Sequence, residues 1–312
     1  MIEYGYPIKV EVTMDSIKIK AYAKINIGLD VLRKRTDGYH DVCMIMQTID
    51  LYDTLTIKKA QNKDILLETS LAYLPCDQRN LVYRAAALFY DTFAPDHGAI
   101  ITLDKKIPVA AGLAGGSSDA AATLTGLNQL YQTNLSLEEL MKLGVTLGAD
   151  VPYCLLMGTA LSEGIGEILT LLKPMPKCEI LLVKPDISVS TKYVYENLNL
   201  STPLVHPDIA KMRKAIEEDD LLGLTSCMDN ILQTVTVPEY PIITEIKEKM
   251  RELGALTALM SGSGPTVFGV YDDHKSAEKA FRHFNNSYYG KQVFLANPYW
   301  PESESERRAV RK

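Results

Sequence analysis

The chain has 312 residues, 46% of them hydrophobic and 23% charged, the make-up of an ordinary globular protein with room for two domains. Its net charge of -6 argues against a general nucleic-acid binder, which needs an electropositive face. No apolar run reaches membrane-spanning length and no signal peptide opens the chain, so a cytosolic protein without membrane or nucleic-acid partners is expected.

Ile8, Val10 and Val12 alternate in residues 1–13, which form either an extra edge strand or an extension outside the fold. From Ile17 to Val31 the odd positions are apolar, while Lys18, Lys20, Tyr22, Lys24, Asn26 and Asp30 fall between them. That period of two predicts a long strand with one core face. Arg35-Thr36-Asp37-Gly38 supplies turn chemistry, and a second strand is expected over 51–57. Asn80 is placed to cap a helix over 81–93, and a strand over 99–103 follows. A further helix is expected from Ser117, with Ala120, Leu124, Leu127 and Tyr131 on one face. Ser136 and Glu139 form a capping box before the next helix.

Lys173-Pro174-Met175-Pro176 is the expected domain boundary, dividing the chain into 14–172 and 173–297. Beyond it come a short strand over 180–183, helix over 207–232, and a strand–turn–strand over 258–271. Strands and helices do not alternate as βαβ units, so the fold class is α+β. The charged stretch 302–312 is expected to fray. The five cysteines are odd in number, lack any C-x-x-C spacing and sit mostly in apolar surroundings, so they are expected to be reduced structural thiols.

Four segments carry chemical potential. Pro108-Val109-Ala110-Ala111-Gly112-Leu113-Ala114-Gly115-Gly116-Ser117-Ser118 is a run of small residues feeding a helix. Such a run admits close backbone approach, and the helix start adds free N–H donors and positive dipole, as an anion site requires. A flexible loop with a serine cap is the bland alternative. Neither G-x-x-x-x-G-K-[ST] nor a strand-to-helix G-x-G-x-x-G is present, so a nucleotide would be held without a P-loop lysine. Lys24 and Asn26 share the non-core side of the first strand. They are ordinary exposed residues unless that side faces a cleft. Asp150, before Val151-Pro152, is either a helix cap or a carboxylate placed to take a proton. Ser261-Gly262-Ser263-Gly264-Pro265-Thr266 reads as a tight turn, with a phosphate-binding nest as the alternative.

These four segments, in this order, resemble the GHMP kinase superfamily. The resemblance runs over roughly residues 16–295, on AKINIGLDVLRKRTDGYHDV, PVAAGLAGGSSDAAATLTGLNQL, LTLGADVPYCLLMGTALSEGIGEIL and MSGSGPTVFG. RTDGYH and LGADVP narrow it to the branch whose acceptor is a cytidine diphosphate conjugate. The resemblance implies a two-domain fold, with an ATP-binding domain like ribosomal protein S5 followed by an α/β-plait substrate domain. It also implies ATP as co-substrate, Mg²⁺ arriving with it, and a monomer or homodimer. Residue by residue, it makes Lys24 and Asp150 the catalytic pair and Pro108–Ser118 the ATP-phosphate loop. It assigns Tyr39 and His40 to the cytidine end and Asn26 to the reacting centre, while Thr191 and Tyr195 line the acceptor pocket. No protein ligand for the metal is assigned, although the Ser118 hydroxyl is a candidate. Ala110, Ala111 and Ala114 stand where relatives often have glycine, which puts the fine geometry of the loop in question. Two other readings remain: a superfamily member acting on homoserine, mevalonate or a sugar, and a non-catalytic nucleotide sensor. The second would need neither Lys24 nor Asp150.

Overall fold

The computed structural model describes residues 11–13, 15–93, 97–201, 205–289 and 291–301. Seven strands form the first sheet: β1 (Glu11–Thr13), β2 (Ser16–Lys34), β3 (His40–Ala60), β4 (Ile65–Thr69), β5 (Gly98–Asp104), β6 (Thr159–Gly164) and β7 (Ile168–Leu171). Their order is β1-β2-β3-β5-β4, with β6 and then β7 continuing from the other half of β3's free edge. Among the described strands of this sheet, only β4 and β5 pair in parallel. Helices α1 (Leu81–Phe93), α2 (Gly115–Leu130), α3 (Leu137–Leu147) and α4 (Val151–Leu156) belong to this half. The second sheet is antiparallel, with β8 (Glu179–Lys184), β9 (Thr257–Met260), β10 (Val267–Tyr271) and β11 (Gln292–Ala296) in the order β11-β8-β10-β9. It carries α5 (Thr191–Asn197), α6 (Ile209–Glu217), α7 (Leu221–Thr225), α8 (Gln233–Glu239), α9 (Ile242–Glu252) and α10 (His274–Asn285). The mixed order of elements is the expected α+β class.

Local chemistry sets the element ends. The hairpin between β2 and β3 closes through Arg35 N–H to the Tyr39 carbonyl at 2.8 Å, with Gly38 at φ 90°. Asn80 Oδ1 accepts from Val82 N–H at 3.0 Å, and Ser136 with Glu139 makes the capping box. α2 starts at Gly115 rather than Ser117, because Ala114 takes the left-handed conformation just before it. It is buried on nearly every side from Ser118 to Leu130, so the single apolar face expected for it is not observed. β1 pairs antiparallel with the edge of β2, while Ile8 and Val10 lie outside the described residues, as does the stretch 302–312. The five cysteines are free, but Cys76 is exposed rather than in an apolar setting.

β2 is not one even ladder. Its register with β3 shifts between Tyr22 and Lys24, between Asn26 and Gly28, and between Val31 and Arg33. Ile17, Ile19 and Ala21 pack in one hydrophobic cluster, Ala23, Ile25 and Ile27 in another, and Leu29 and Val31 in the first again. Such breaks move side chains to the opposite face of a sheet. Lys24 and Asn26 thereby join the face of Ile17 and Leu29, and Asn26's cross-strand partner Met46 belongs to the same cluster. The expected non-core side is covered too: Lys24 is 5% exposed and Asn26 1%.

The Lys173–Pro176 junction lies between β7 and β8, hence between the two sheets. The halves nonetheless share a core, in which Ala23, Ile25 and Ile45 meet Ile180, Leu182, Phe268 and Met212. Backbone hydrogen bonds stitch the halves together, Leu29 N–H to Asp229 at 3.0 Å and Tyr299 N–H to Thr48 at 2.8 Å. At one point they touch without room for a methyl group. Gly112 has φ 75°, and an added Cβ would run into the Ser261 carbonyl. Gly112→Ala is therefore expected to cost about 2 kcal/mol or more, from the left-handed backbone and the displaced turn. Denaturant unfolding measures it, and a variant as stable as the parent would contradict the contact.

Candidate active site

Between the sheets opens a cavity of about 1060 Å³. β2 supplies its floor. Lys24 Nζ donates to Asn26 Oδ1 at 2.7 Å and lies 3.6 Å from Asp150 Oδ2. Lys24 backbone N–H also donates to the Leu113 carbonyl at 3.2 Å, tying the strand to the small-residue loop. Asp150 occupies the cap position of α4 but makes no side-chain capping bond, and its carboxylate is directed at Lys24 instead. Capping, the simpler expectation for this residue, is thus not what its side chain does. The Lys24 side chain is 6% exposed and that of Asp150 33%, so the pair sits at the boundary between packed protein and cavity.

Pro108 to Gly112 and Ala114 to Ser117 border the cavity; Leu113 and Ser118 do not. Leu113 is buried in the shared core. Ser118 donates its hydroxyl to the Tyr22 carbonyl at 2.6 Å and its N–H to Ala114 O at 2.9 Å. That proton is committed to the strand, so the hydroxyl has none to give a phosphate oxygen. Ala110 at φ 51° and Ala114 at φ 55° take the left-handed conformation that glycine adopts freely. α2 begins directly after Ala114, so the N–H groups of Gly115, Gly116 and Ser117 lie ahead of its hydrogen-bond ladder. With the helix dipole they form an anion-binding end. Behind the loop, Ser261 Oγ donates to the Gly112 carbonyl at 2.9 Å. The 261–266 segment closes on itself through Ser261 N–H to Thr266 and Gly264 N–H to Ser261, both at 2.9 Å, which is the tight turn expected. Gly262 and Ser263 reach the cavity.

At another part of the wall stand Tyr39, His40, Thr191 and Tyr195. His40 is 8% exposed, and the ring against it is Tyr195, at 5.3 Å between centroids. Tyr39 is 58% exposed, so Tyr195 rather than Tyr39 is the aromatic packed on His40. Burial, and then the charge of Lys34, hold the His40 ring below the usual 6.5. Burial, and then the charge of Asp150, hold the Tyr195 phenol protonated. Thr191 Oγ1 lies 2.8 Å from Ser263 Oγ.

One cluster had no local signal. Lys105 Nζ bonds Asp53 Oδ2 at 2.5 Å and Asp119 Oδ2 at 2.7 Å, and all three side chains are buried. Asp53 Oδ1 accepts from Ile107 N–H at 2.8 Å, so the triad fixes the entry to the small-residue loop. Asp119 Oδ1 has no hydrogen-bond partner among the described residues. The register Thr54↔Asp104 brings Asp53 to Lys105 from 52 residues away, which no local pattern reveals. The thiols of Cys43, Cys154, Cys178 and Cys227 are pushed up by burial, which fits structural rather than nucleophilic cysteines.

Family profiles match the two halves separately. "GHMP kinases N terminal domain" matches residues 80–158 and "GHMP kinases C terminal" residues 203–290. The 4-diphosphocytidyl-2-C-methyl-D-erythritol kinase of Lachnoclostridium phytofermentans is 60% identical over 282 residues, covering 90% of this chain and 97% of that one. The chain belongs to the GHMP kinase family. A protein of the same name from Clostridium perfringens is 48% identical over 279 residues, 89% of this chain and 97% of its own. Among solved structures, a 4-(cytidine 5'-diphospho)-2C-methyl-D-erythritol kinase superposes on this GHMP kinase with TM-score 0.76 at 32% identity. That alignment covers 90% of this chain and 98% of the other. Homoserine kinase from Cytophaga hutchinsonii, at TM-score 0.73 and 20% identity over 94% and 96% of the two chains, shares the fold. The expected two-domain GHMP fold is thus present.

The buried triad makes a pH prediction. Burial, opposed by Lys105 and aided by Asp53, pushes Asp119 up from 3.8 to about 8. A carboxyl raised in the folded state stabilises fully below 3.8, and its contribution is lost as pH climbs toward about 8. Asp119→Asn should flatten the fall in melting temperature across that window. Parallel melting profiles for variant and parent would show that Asp119 is not held neutral.

Proposed function

We infer that this GHMP kinase transfers the γ-phosphoryl group of ATP to the 2-hydroxyl of 4-diphosphocytidyl-2-C-methyl-D-erythritol, a step of the non-mevalonate isoprenoid pathway. The observation that carries the reading is the Lys24–Asp150 pair at 3.6 Å, lining one cavity with a helix-end anion site and the His40–Tyr195 aromatic pair. A phosphoryl donor belongs at the first and a cytidine handle at the second, with the reacting atoms between them. The near relatives bearing that activity in their names support the reading.

Phosphoryl transfer asks the protein for alignment and charge neutralisation more than for covalent chemistry. The ATP phosphates lie against the free N–H groups of Gly115, Gly116 and Ser117. The acceptor hydroxyl approaches Asp150, whose carboxylate takes its proton as the oxygen attacks the γ-phosphorus and ADP departs. Lys24, held in place by Asn26, steadies the charge that develops. When bound with the nucleotide, Mg²⁺ would supply neutralisation of phosphate charge. Such an ion keeps several waters and needs only one or two protein oxygens, of which the Ser117 hydroxyl beside the cavity would be one. Tyr39 and His40 hold the cytosine, and Thr191 with Tyr195 shapes the pocket around it. No helix among the described residues is long and apolar enough to cross a membrane, and with five free cysteines a cytoplasmic location follows as part of this reading.

The decisive experiment is ATP turnover with a panel of acceptors: the cytidyl methylerythritol, mevalonate, homoserine and galactose. Turnover with the first alone is expected, and preference for any other would overturn the assignment. Asp150→Asn should lower turnover about 100-fold or more while the fold stays intact. Near-normal turnover would reduce Asp150 to orienting the hydroxyl. Lys24→Ala should lower turnover by about 100-fold or more with ATP affinity mostly kept. An equal loss of ATP affinity would make Lys24 a nucleotide ligand instead.

A further inference from the structure

Five basic side chains border the cavity, and they differ in what they already hold. Lys24 is buried against Asn26 and Asp150. Lys105 is locked between Asp53 and Asp119. Arg79 grips both carboxylate oxygens of Asp77. Lys34 has no acidic partner among the described residues. Lys192 meets only Glu196, at 3.8 Å, with 82% and 59% of the two side chains exposed. An exposed pair of that kind is worth little, so it yields readily to a stronger anion. Lys34 and Lys192 are therefore the cations that can meet an incoming charge without giving up a buried or two-oxygen pair.

Both stand beside the aromatic pair. Lys34 is directly opposite His40 in the β2–β3 ladder, and its charge is felt by the His40 ring. Lys192 lies three residues before Tyr195, on the same side of α5. The helix-end anion site for ATP is a separate wall of the cavity, built from Gly115 to Ser117.

We propose that Lys34 and Lys192 receive the diphosphate joining the cytidine end of the acceptor to its reacting end, and that this charge, not the base alone, selects the acceptor. The proposal rests on the cytidyl acceptor assigned above. Two ammonium groups on long stems act as mobile point charges for phosphate, unlike the fixed fork of an arginine. Being exposed, they also make the interaction sensitive to salt.

The test uses free CDP and cytidine as probes, titrated calorimetrically into the full chain with saturating ADP in the nucleotide site. The unaltered enzyme should bind CDP about tenfold or more tightly than cytidine, and added salt should erode that margin. The double variant Lys34→Gln/Lys192→Gln should keep its cytidine affinity and its KM for ATP but bring the margin within about twofold. An independent readout is the His40 titration by NMR, where Lys34→Gln should move the midpoint up toward 6.5. If the double variant keeps the CDP margin while the unaltered enzyme phosphorylates the cytidyl acceptor, this inference alone falls. If the unaltered enzyme neither binds CDP nor uses that acceptor, the acceptor assignment falls and this inference with it.

Discussion

The site depends on the uneven pairing of β2 with β3. In a regular ladder Lys24 would share a side with Lys18 and Lys20, and nothing would bring it to Asp150. The register shifts on either side of 24–26 exchange faces for that short stretch. The same shifts send Ala23, Ile25 and Ile27 toward the second sheet, where they become the shared core. One irregularity thus both aims Lys24 at Asp150 and fastens the two halves together.

That coupling explains why the second half cannot be an independent appendage. The small-residue loop has its back to the Ser261–Thr266 turn, through the Ser261 hydroxyl and a glycine that admits no side chain. Asn230 holds the turn in turn, donating to the Met260 and Gly262 carbonyls at 2.8 and 2.7 Å. Asn230 is also bridged to Leu29 on β2. Strand, loop and turn therefore form a closed circuit of contacts around the cavity, and its parts cannot shift independently.

Much of this was legible in the sequence. Turn chemistry at Asp37-Gly38, the Asn80 and Ser136 caps, the α+β order and the four functional segments all depend on neighbours within a few residues. What was not legible depends on pairing across the sheet. The alternation from Ile17 to Val31 looks unbroken, because the breaks in β2 exist only relative to β3. Nothing in the residues around Lys105 signals its partner, which the β3–β5 register supplies in Asp53. Local rules do not reach the directions of the Ser118 and Asp150 side chains, which tertiary contacts set. Ser118 turned inward to Tyr22, and Asp150 gave up capping for Lys24. His40 was found through its motif, but its aromatic neighbour lies 155 residues further along the chain, in Tyr195.

The left-handed alanines of the loop have one more consequence. An alanine in that conformation costs about 1–2 kcal/mol that glycine would not, so folding bears the strain of Ala110 and Ala114 before any nucleotide arrives. In return, the loop has fewer shapes open to it than a glycine-rich equivalent. Ligand capture then needs little further ordering of the backbone. The loop is thereby a set mould rather than a flap, its shape fixed by the fold itself.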